Sequence, residues 1–279
     1  MALQLSTAYI AQFDAEVKQA YQAQSVLRGT VRTRSGVVGS THQFPKIGKG
    51  VAGLRIHQQD VTPLNVSYNK ATATLSDWNA SEYSDIFQQA KVNFDERREL
   101  VQVVGNAIGR RFDQLIIDAM VAASSPETVS NDIGGTDSNL NVAKLREASR
   151  KLTANNVPMQ GRYLLCHAIN LEGLLGETEV TSSDFNTVKA LVQGELDTFM
   201  GFKFIVIGDR DEGGLPLSTN DRTVLAWHMS AVGLAEGIPP RTTIDWIPEK
   251  RSYLVSADFS AGAVAIDDEG IVQITCDEA

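Results

Sequence analysis

The stretch from Asp95 to Ala123, DERRELVQVVGNAIGRRFDQLIIDAMVAA, decides how this chain folds. Asp95 and Glu96 stand at its start, where the helix dipole favours negative charge. The pattern predicts one helix of about twenty-five residues within this stretch. At about 1.5 Å per residue it is about 38 Å long, which is long enough to span a domain. The apolar residues that recur at helical spacing, with no proline among them, are Val104, Ile108, Phe112, Leu115, Ile116, Ala119 and Met120.

The segments after this helix predict a mixture of helices and strands. Pro126 ends the helix, and a polar loop separates it from the elements that follow. The chain is therefore expected to be an α+β protein. The predicted elements are helices over Val142–Thr153 and Val188–Leu196, strands over Tyr163–Cys166 and Lys203–Ile207, a strand or helix over Val224–Leu234, and antiparallel strands over Thr242–Thr275.

The segments before the helix have a different character. An amphipathic helix is predicted from about Ser6 to Leu27, ending near Gly29. From Gly29 to Ser81 the chain is rich in glycine turns and alternating Thr and Ala, and it has too few apolar residues for a core of its own. We interpret this stretch as an arm and a long β-hairpin. An isolated hairpin is only marginally stable in water, so this one is expected to need a partner surface.

Composition narrows the class of protein. The chain has 279 residues, of which 43% are hydrophobic, enough for one large domain or two modest ones with a buried core. Its 25 Lys and Arg against 34 Asp and Glu give a net charge of −9, which opposes tight binding to nucleic acid or anionic membrane. No uncharged apolar run approaches the roughly 20 residues of a membrane span, so we expect no membrane partner. Two cysteines provide no disulfide framework.

The short motifs that could carry chemistry are weak. Gly48–Gly53 has the spacing of a dinucleotide fingerprint, but the residues after it look extended, whereas the motif needs a helix N-terminus there. Asp209–Gly214 resembles half of a calcium loop without its closing glutamate. The Cys166–His167 pair is the only suggestive nucleophile and base, although adjacent strand residues point to opposite faces. Arg110–Arg111 would touch a phosphate or a neighbour's acid, or form a solvated stripe. No cofactor, metal or catalytic residue is predicted.

The order of these elements resembles that of tailed-bacteriophage major capsid proteins, particularly the coat proteins of short-tailed phages. The likeness covers nearly the whole chain. It rests on the order of several short sequence segments, since no single segment is diagnostic. The segments are Phe13–Val17 in the first helix, Gly39–Gly48 leading into the loop, Thr72–Leu75 ending it, Gly105–Gly109 and Asp113–Ile117 in the long helix, Gly201–Val206, and Trp227–Ala235.

The resemblance implies a tailed-phage major capsid fold with an N-terminal arm, an extended β-hairpin loop, a long spine helix, a peripheral domain and an axial domain. It divides the chain into an arm over 1–40, the extended loop over 41–85, a peripheral domain with the spine helix over 86–160, an axial domain over 161–239, and return strands of the peripheral domain over 240–279.

The resemblance also implies a function. Such proteins are not enzymes, and they assemble as hexamers and pentamers into an icosahedral shell that encloses double-stranded DNA without binding it specifically. The expected partners are further copies of the chain, a separate scaffolding protein and a portal protein at one vertex, with a decoration protein as an optional further partner. The expected location is the virion, after assembly in the cytoplasm of the host bacterium.

Candidate contacts between subunits are Arg55, Lys70, Asp77 and Glu82, because they lie in or near the proposed loop. One branch of the family joins subunits covalently through a loop lysine and an asparagine of the peripheral domain. Lys70 would fit the first role, but no asparagine follows Asn220. We therefore predict a shell without covalent cross-links.

Three other functions stay open at this point. A shell protein of the same fold that encloses enzymes in a bacterial nanocompartment is the nearest alternative, since fold alone does not specify function. An enzyme with catalytic residues dispersed along the sequence is less favoured, and so is a tail or portal component of a virion.

Overall fold

A computed structural model describes residues 24–58, 60–61, 63–91, 95–177, 198–210, 212 and 214–278. The predicted helix over Val188–Leu196 and most of the predicted N-terminal helix lie outside the described residues. The last predicted residues of that N-terminal helix, 24–27, are not helical. The reason is a tertiary contact, because the backbone amides of Val26 and Leu27 donate to the carboxylate of Asp113 on the long helix.

The described residues form strands and helices in the predicted order. The first half contains a 3-10 turn at Arg28–Thr30, β1 (Arg32–Ser35), β2 (Thr41–Ile47), β3 (Tyr68–Thr74), β4 (Ser76–Asp85), α1 (Ile86–Gln89), α2 (Glu96–Val121), β5 (Glu127–Val129) and α3 (Val142–Ala154). The second half contains β6 (Arg162–His167), α4 (Ala168–Leu175), β7 (Thr198–Phe199), β8 (Phe202–Ile207), β9 (Leu217–Ser218), β10 (Asp221–His228), β11 (Val232–Ile247), β12 (Ser252–Ala265), a 3-10 turn at Asp268–Gly270 and β13 (Ile271–Asp277).

Three sheets organise these strands. A four-stranded sheet has the order β1-β11-β12-β4, and a seven-stranded sheet has the order β5-β13-β10-β6-β8-β7 with β9 also paired to β10. β2 and β3 pair only with each other. The structure confirms the two predicted helices as α2 and α3, and the predicted strands over Tyr163–Cys166 and Lys203–Ile207 as β6 and β8. The stretch from Val224, which was predicted as a strand or a helix, is the end of strand β10 and leads through a short turn into β11.

The main core lies where α2 packs between the two larger sheets. Ile116 of α2 is fully buried together with Leu225 of β10 and Val255 of β12. The ring of Phe112 stacks on that of Phe259, with 4.3 Å between the ring centres. Each such side chain contributes about 1.5–3 kcal/mol when it is buried. α2 is therefore the element that joins the two sheets into one body.

The seven-stranded sheet is buried on both faces. Leu225 and Trp227 of β10 belong to the main core, whereas the alternating residues Val224 and Ala226 belong to a second core. Leu152 of α3 and Leu174 of α4 complete this second core. Elements on both sides of the 161–239 range therefore build this layer, since α3 precedes it and β13 follows it. Strand pairing joins segments that are distant along the chain, and sequence order alone does not reveal it.

The β2–β3 hairpin leaves the body at a point of close backbone approach. Phe44 of β2 is buried against Ala235 of β11, and a Cβ at Gly233 would lie only 2.8 Å from the Phe44 ring. A Cβ at Gly262 would overlap the carbonyl group of Thr74, approaching its carbon to 2.7 Å. The hairpin can cross β11 and β12 only because these two residues have no side chain.

We expect the variant Gly262→Ala to destabilise the protein by about 1–3 kcal/mol, because the added methyl group forces the Thr74 backbone away. The measurements are Tm and hydrogen–deuterium exchange in residues 41–75, which should become faster. Gly105→Ala is the matched control, since a Cβ there meets nothing within 4 Å and alanine favours the α2 helix by about 1 kcal/mol. Equal Tm values for the two variants would contradict the crossing geometry.

Candidate subunit interface

The hairpin projects a long loop away from the body. β2 and β3 are paired from Thr41–Thr74 to Ile47–Tyr68, seven residue pairs that span about 23 Å at about 3.3 Å each. Gly48 donates its amide to the carbonyl of Ser67 at 2.8 Å, and the described residues between these two form neither helix nor strand. The predicted extended β-hairpin loop is therefore present, with its irregular part over 48–67. It ends at Thr74 rather than at residue 85, because β4 pairs along its length with β12 in the body.

The loop exposes apolar side chains that find no core in this subunit. Val51, Leu54 and Val61 are 84%, 94% and 81% exposed. Monomeric proteins rarely leave contiguous apolar surface of this kind in water, and such patches mark contacts with other proteins. Ile47, Ile56, Leu64 and Tyr68 are also exposed.

Two lysines hold the far end of the β2–β3 pairing against the body. Lys46 donates to Asp267 at 2.7 Å, and Lys49 donates to Glu269 at 2.6 Å. The hydrogen bond to Glu269 raises the pKa of Lys49 above its usual value. All four side chains are substantially exposed to solvent, so salt screens these contacts. The hairpin direction is thus held weakly, in contrast to the packed crossing at Phe44.

The segment before the hairpin is held by a buried carboxylate on α2. Asp113 is fully buried and accepts hydrogen bonds from the Ser25 hydroxyl at 2.9 Å and from the amides of Val26 and Leu27 at 3.0 Å. The guanidinium of Arg210 donates to the same carboxylate at 3.0 Å and neutralises it. This anchor determines where the N-terminal residues leave the body.

A second buried carboxylate, Glu236 of β11, holds the next part of the segment. Arg28 donates to both of its oxygens at 2.8 Å, and Ser35 donates at 3.0 Å. β1 continues the contact by pairing in parallel with β11, and Trp227 donates its indole N–H to the Thr30 carbonyl at 3.1 Å. Residues 25–35 are therefore part of the body, and the sequence reasoning did not identify either carboxylate.

The four residues proposed from the sequence as intersubunit contacts lie at two separate places. Arg55 lies in the irregular loop and Lys70 on β3, whereas Asp77 and Glu82 lie on β4. All four are exposed, and within the described part of one subunit none of them forms an ion pair with another. Whether they touch a neighbouring subunit stays a prediction.

The glycine-rich motif and the acidic turn lie in surroundings that differ from those of a dinucleotide site or a calcium loop. Gly48–Gly53 leads into irregular backbone rather than a helix, so it does not build the strand–turn–helix cradle of a dinucleotide site. In the turn after β8, Arg210 points inward to Asp113. Among the residues the structure describes, which exclude 211 and 213, no three His, Cys, Asp or Glu side chains are placed to hold a metal ion.

The arginine pair on α2 makes contacts within the subunit. The guanidinium of Arg111 lies 3.7 Å from the centre of the Trp78 ring on β4, and Arg110 lies 3.7 Å from Glu212. The solvated-stripe interpretation is therefore incomplete, because Arg111 instead joins α2 to the edge of the four-stranded sheet. Such a stacked cation contributes most where water is excluded.

Cys166 and His167 have different environments. Cys166 lies in the second core, and its thiol approaches only the Ile205 carbonyl, at 3.9 Å. His167 accepts from the Ile169 amide as the N-cap of α4, and its Nε2 lies 3.2 Å from Asp209. Burial raises the pKa of the Cys166 thiol to about 12, and burial likewise raises the pKa of Cys276 to about 12. Neither thiol is a nucleophile at neutral pH.

Removing the buried carboxylate of Asp113 should release the N-terminal segment. Asp113→Ala leaves Arg210 charged and unpaired in the core, which costs about 3–5 kcal/mol. We expect a lower Tm and faster trypsin cleavage after Arg28 and Arg32, followed by mass spectrometry. Glu147→Gln is the control, because it removes an exposed pairing with Arg150 and should change neither measurement. Unchanged cleavage in Asp113→Ala would refute the anchoring role.

The two native thiols should resist a disulfide-exchange reagent at pH 8 and react only after unfolding, since thiolate is the reactive form. Leu217→Cys, at a 51% exposed site, provides a thiol that should react at once. Because folding raises both pKa values from 9.0, the folded state should lose stability as the pH rises from 9 toward 12. Rapid native labelling of Cys166 would contradict its burial.

The described residues contain no helix that is both long and apolar enough to cross a membrane.

A family model described as phage capsid protein matches residues 5–278, which is nearly the entire chain. The chain belongs to this family of phage capsid proteins. No curated protein sequence matches it.

Solved capsids of several phages have the same fold. The capsid of the cyanophage P-SCSP1u superposes with a TM-score of 0.76 at 15% identity, over 98% of this chain and 94% of that one. The head of Helicobacter pylori bacteriophage KHP40 gives a TM-score of 0.76 at 14% identity, over 96% of both chains. The acid-stable capsid of Helicobacter pylori bacteriophage KHP30 gives 0.76 at 12% identity, over 100% and 99%.

These findings confirm the predicted fold class and the resemblance. The chain is a bacteriophage major capsid protein of α+β type, and α2 is its spine helix. It is a structural protein of the virion shell.

Proposed function

We propose that this protein assembles with copies of itself, as hexamers and pentamers, into an icosahedral shell that encloses double-stranded phage DNA. The single observation that supports this most is the apolar loop at residues 48–67, which has no core of its own and projects beyond a hairpin of seven residue pairs. A neighbouring subunit is the surface that it needs.

The proposed contact joins two different surfaces, since the loop of one copy lies on the body of the next. Contacts of this heterologous kind close into rings when the rotation between copies permits it. A shell then gains its strength from many individually modest interfaces. The weakly held hairpin direction supports this arrangement, because the loop can adjust to neighbours in both pentamers and hexamers.

The net charge of −9 supports the role of a DNA container. A shell must hold DNA at high density without attaching to it, and an acidic protein avoids the counterion-driven binding that basic proteins show. We place assembly in the cytoplasm of the host bacterium. The proposed partners are a separate scaffolding protein and a portal protein at one vertex, with a decoration protein as an optional further partner. We assign the chain no enzymatic role.

The division into arm, extended loop, peripheral domain and axial domain is part of the same proposal. We assign the four-stranded sheet with α2 to the peripheral domain and the seven-stranded sheet to the axial domain. This assignment adds β5 and β13 to the axial domain, although both lie outside the range 161–239. The order of the strands supports this assignment, since each sheet has its own pairing and α2 lies between them.

Electron microscopy of the purified protein, with and without co-expressed neighbours from its genome, tests the proposal. Closed shells tens of nanometres across are the expected result, and DNA inside them would distinguish a virion from a compartment that encloses enzymes. A small oligomer of uniform size under every condition would refute the shell.

A loop variant makes the test specific. Replacing residues 49–66 by Asn-Gly closes the hairpin where Gly48 already bonds to Ser67, so the body should keep its Tm while shells fail to form. Leu217→Ser, which changes an exposed apolar residue outside the loop, is the control and should assemble normally. Normal shells from the shortened chain would show that the loop is dispensable.

A further inference from the structure

Charge is divided very unevenly along this chain. Residues 24–75, the segment that contains β1 and the hairpin, carry seven Lys and Arg against one acidic residue, a net charge of +6. Residues 76–279 carry 17 Lys and Arg against 31 acidic residues, a net charge of −14. A basic projecting segment on an acidic body is complementary to the body of a second copy.

Three cations of this segment already pair with carboxylates of their own body. They are Arg28 with Glu236, Lys46 with Asp267 and Lys49 with Glu269. These pairs show that the basic segment matches the acidic body wherever the two come within reach. Within the described part of the subunit, the remaining cations contact no carboxylate: they are Arg32, Arg34, Arg55 and Lys70.

Arg55 lies beyond the last cation that the hairpin pairs with its own body. It follows the end of β2 by eight residues, and it follows Lys49, which pairs with Glu269, by six. Leu54 and Ile56, on either side of Arg55, are 94% and 64% exposed. The loop therefore presents one positive charge between two apolar side chains.

A groove on the four-stranded sheet has the matching chemistry. It has a volume of about 380 Å³ and lies on the edge strand β4 and its neighbours. Asp77 and Asp258 provide negative charge, and Ile238, which is 55% exposed, provides apolar surface. Asn79 donates to Asp258, and no cation pairs with either aspartate in the described residues. Trp78, Asn79 and Phe259 complete its walls.

We propose that Leu54–Arg55–Ile56 of one copy docks into this groove of a second copy, with Arg55 paired to Asp77 and Asp258 and the apolar side chains against Ile238. This deepens the proposed shell function, on which it rests, by assigning the receiving surface and its charge. Opposite charges on the two surfaces fix the register of the contact and select the partner surface.

Charge exchange between the two sides tests the docking. Arg55→Asp alone and Asp77→Arg alone should each raise the protein concentration needed for shell formation about tenfold or more, because like charges then meet. The double variant Arg55→Asp/Asp77→Arg should restore assembly toward the wild-type concentration. Light scattering and electron microscopy are the measurements, with Arg251→Asp as a control that reverses an exposed charge on the body.

The outcomes separate this contact from the shell function itself. Wild-type shells with no effect of Arg55→Asp, or no rescue in the double variant, would overturn the docking while leaving the shell function intact. Shells that assemble normally in Arg55→Asp but contain less nucleic acid would assign the basic loop to DNA and also overturn it. Failure of the wild-type protein to form shells would refute both proposals.

Discussion

The burial of α2 between the two sheets is the constraint on which the rest of the structure depends. One face of this helix, over about 39 Å at about 1.5 Å per residue, supplies the side chains that join the four-stranded and seven-stranded sheets. Asp113 lies on the same buried face and would be costly there without Arg210 and the three donors from Ser25, Val26 and Leu27. The helix therefore fixes both the core and the place where the N-terminal segment is attached.

The projecting hairpin is stabilised differently from the body, which is held together by a buried core. The hairpin is packed at Phe44 against Gly233. Farther out, the pairing of β2 with β3 and the exposed ion pairs of Lys46 and Lys49 support it. A two-stranded ribbon with exposed Val51, Leu54 and Val61 is poorly stable in isolation and gains stability when another surface covers it. A subunit with a rigid body and an unsupported loop is suited to assembly, since the loop is completed only by a neighbour.

The low sequence identity to other capsids is consistent with a fold that depends on a general pattern rather than on particular residues. Chains with only 12–15% identical residues share the fold at TM-scores of 0.76, because apolar periodicity and strand order determine it and many residue combinations satisfy both. Apolar periodicity does not specify which charged residues meet. The uneven charge of the segment 24–75 against the rest of the chain therefore has to be explained from this chain's own residues.

The sequence by itself determined the elements whose signal is local. The apolar spacing in 95–123 predicted α2 to within two residues at each end, and the alternation near Thr72 and Thr74 predicted the hairpin. Both predictions succeeded because residues a few positions apart determine helix and strand periodicity.

Tertiary structure alone decided which distant groups meet. Asp113 with Arg210, Arg28 with Glu236, and β13 beside β10 are far apart along the chain, and no periodic pattern encodes such pairs. Residues 24–27 show the same limit, since their helical pattern was overridden when a buried carboxylate accepted the backbone N–H groups of Val26 and Leu27.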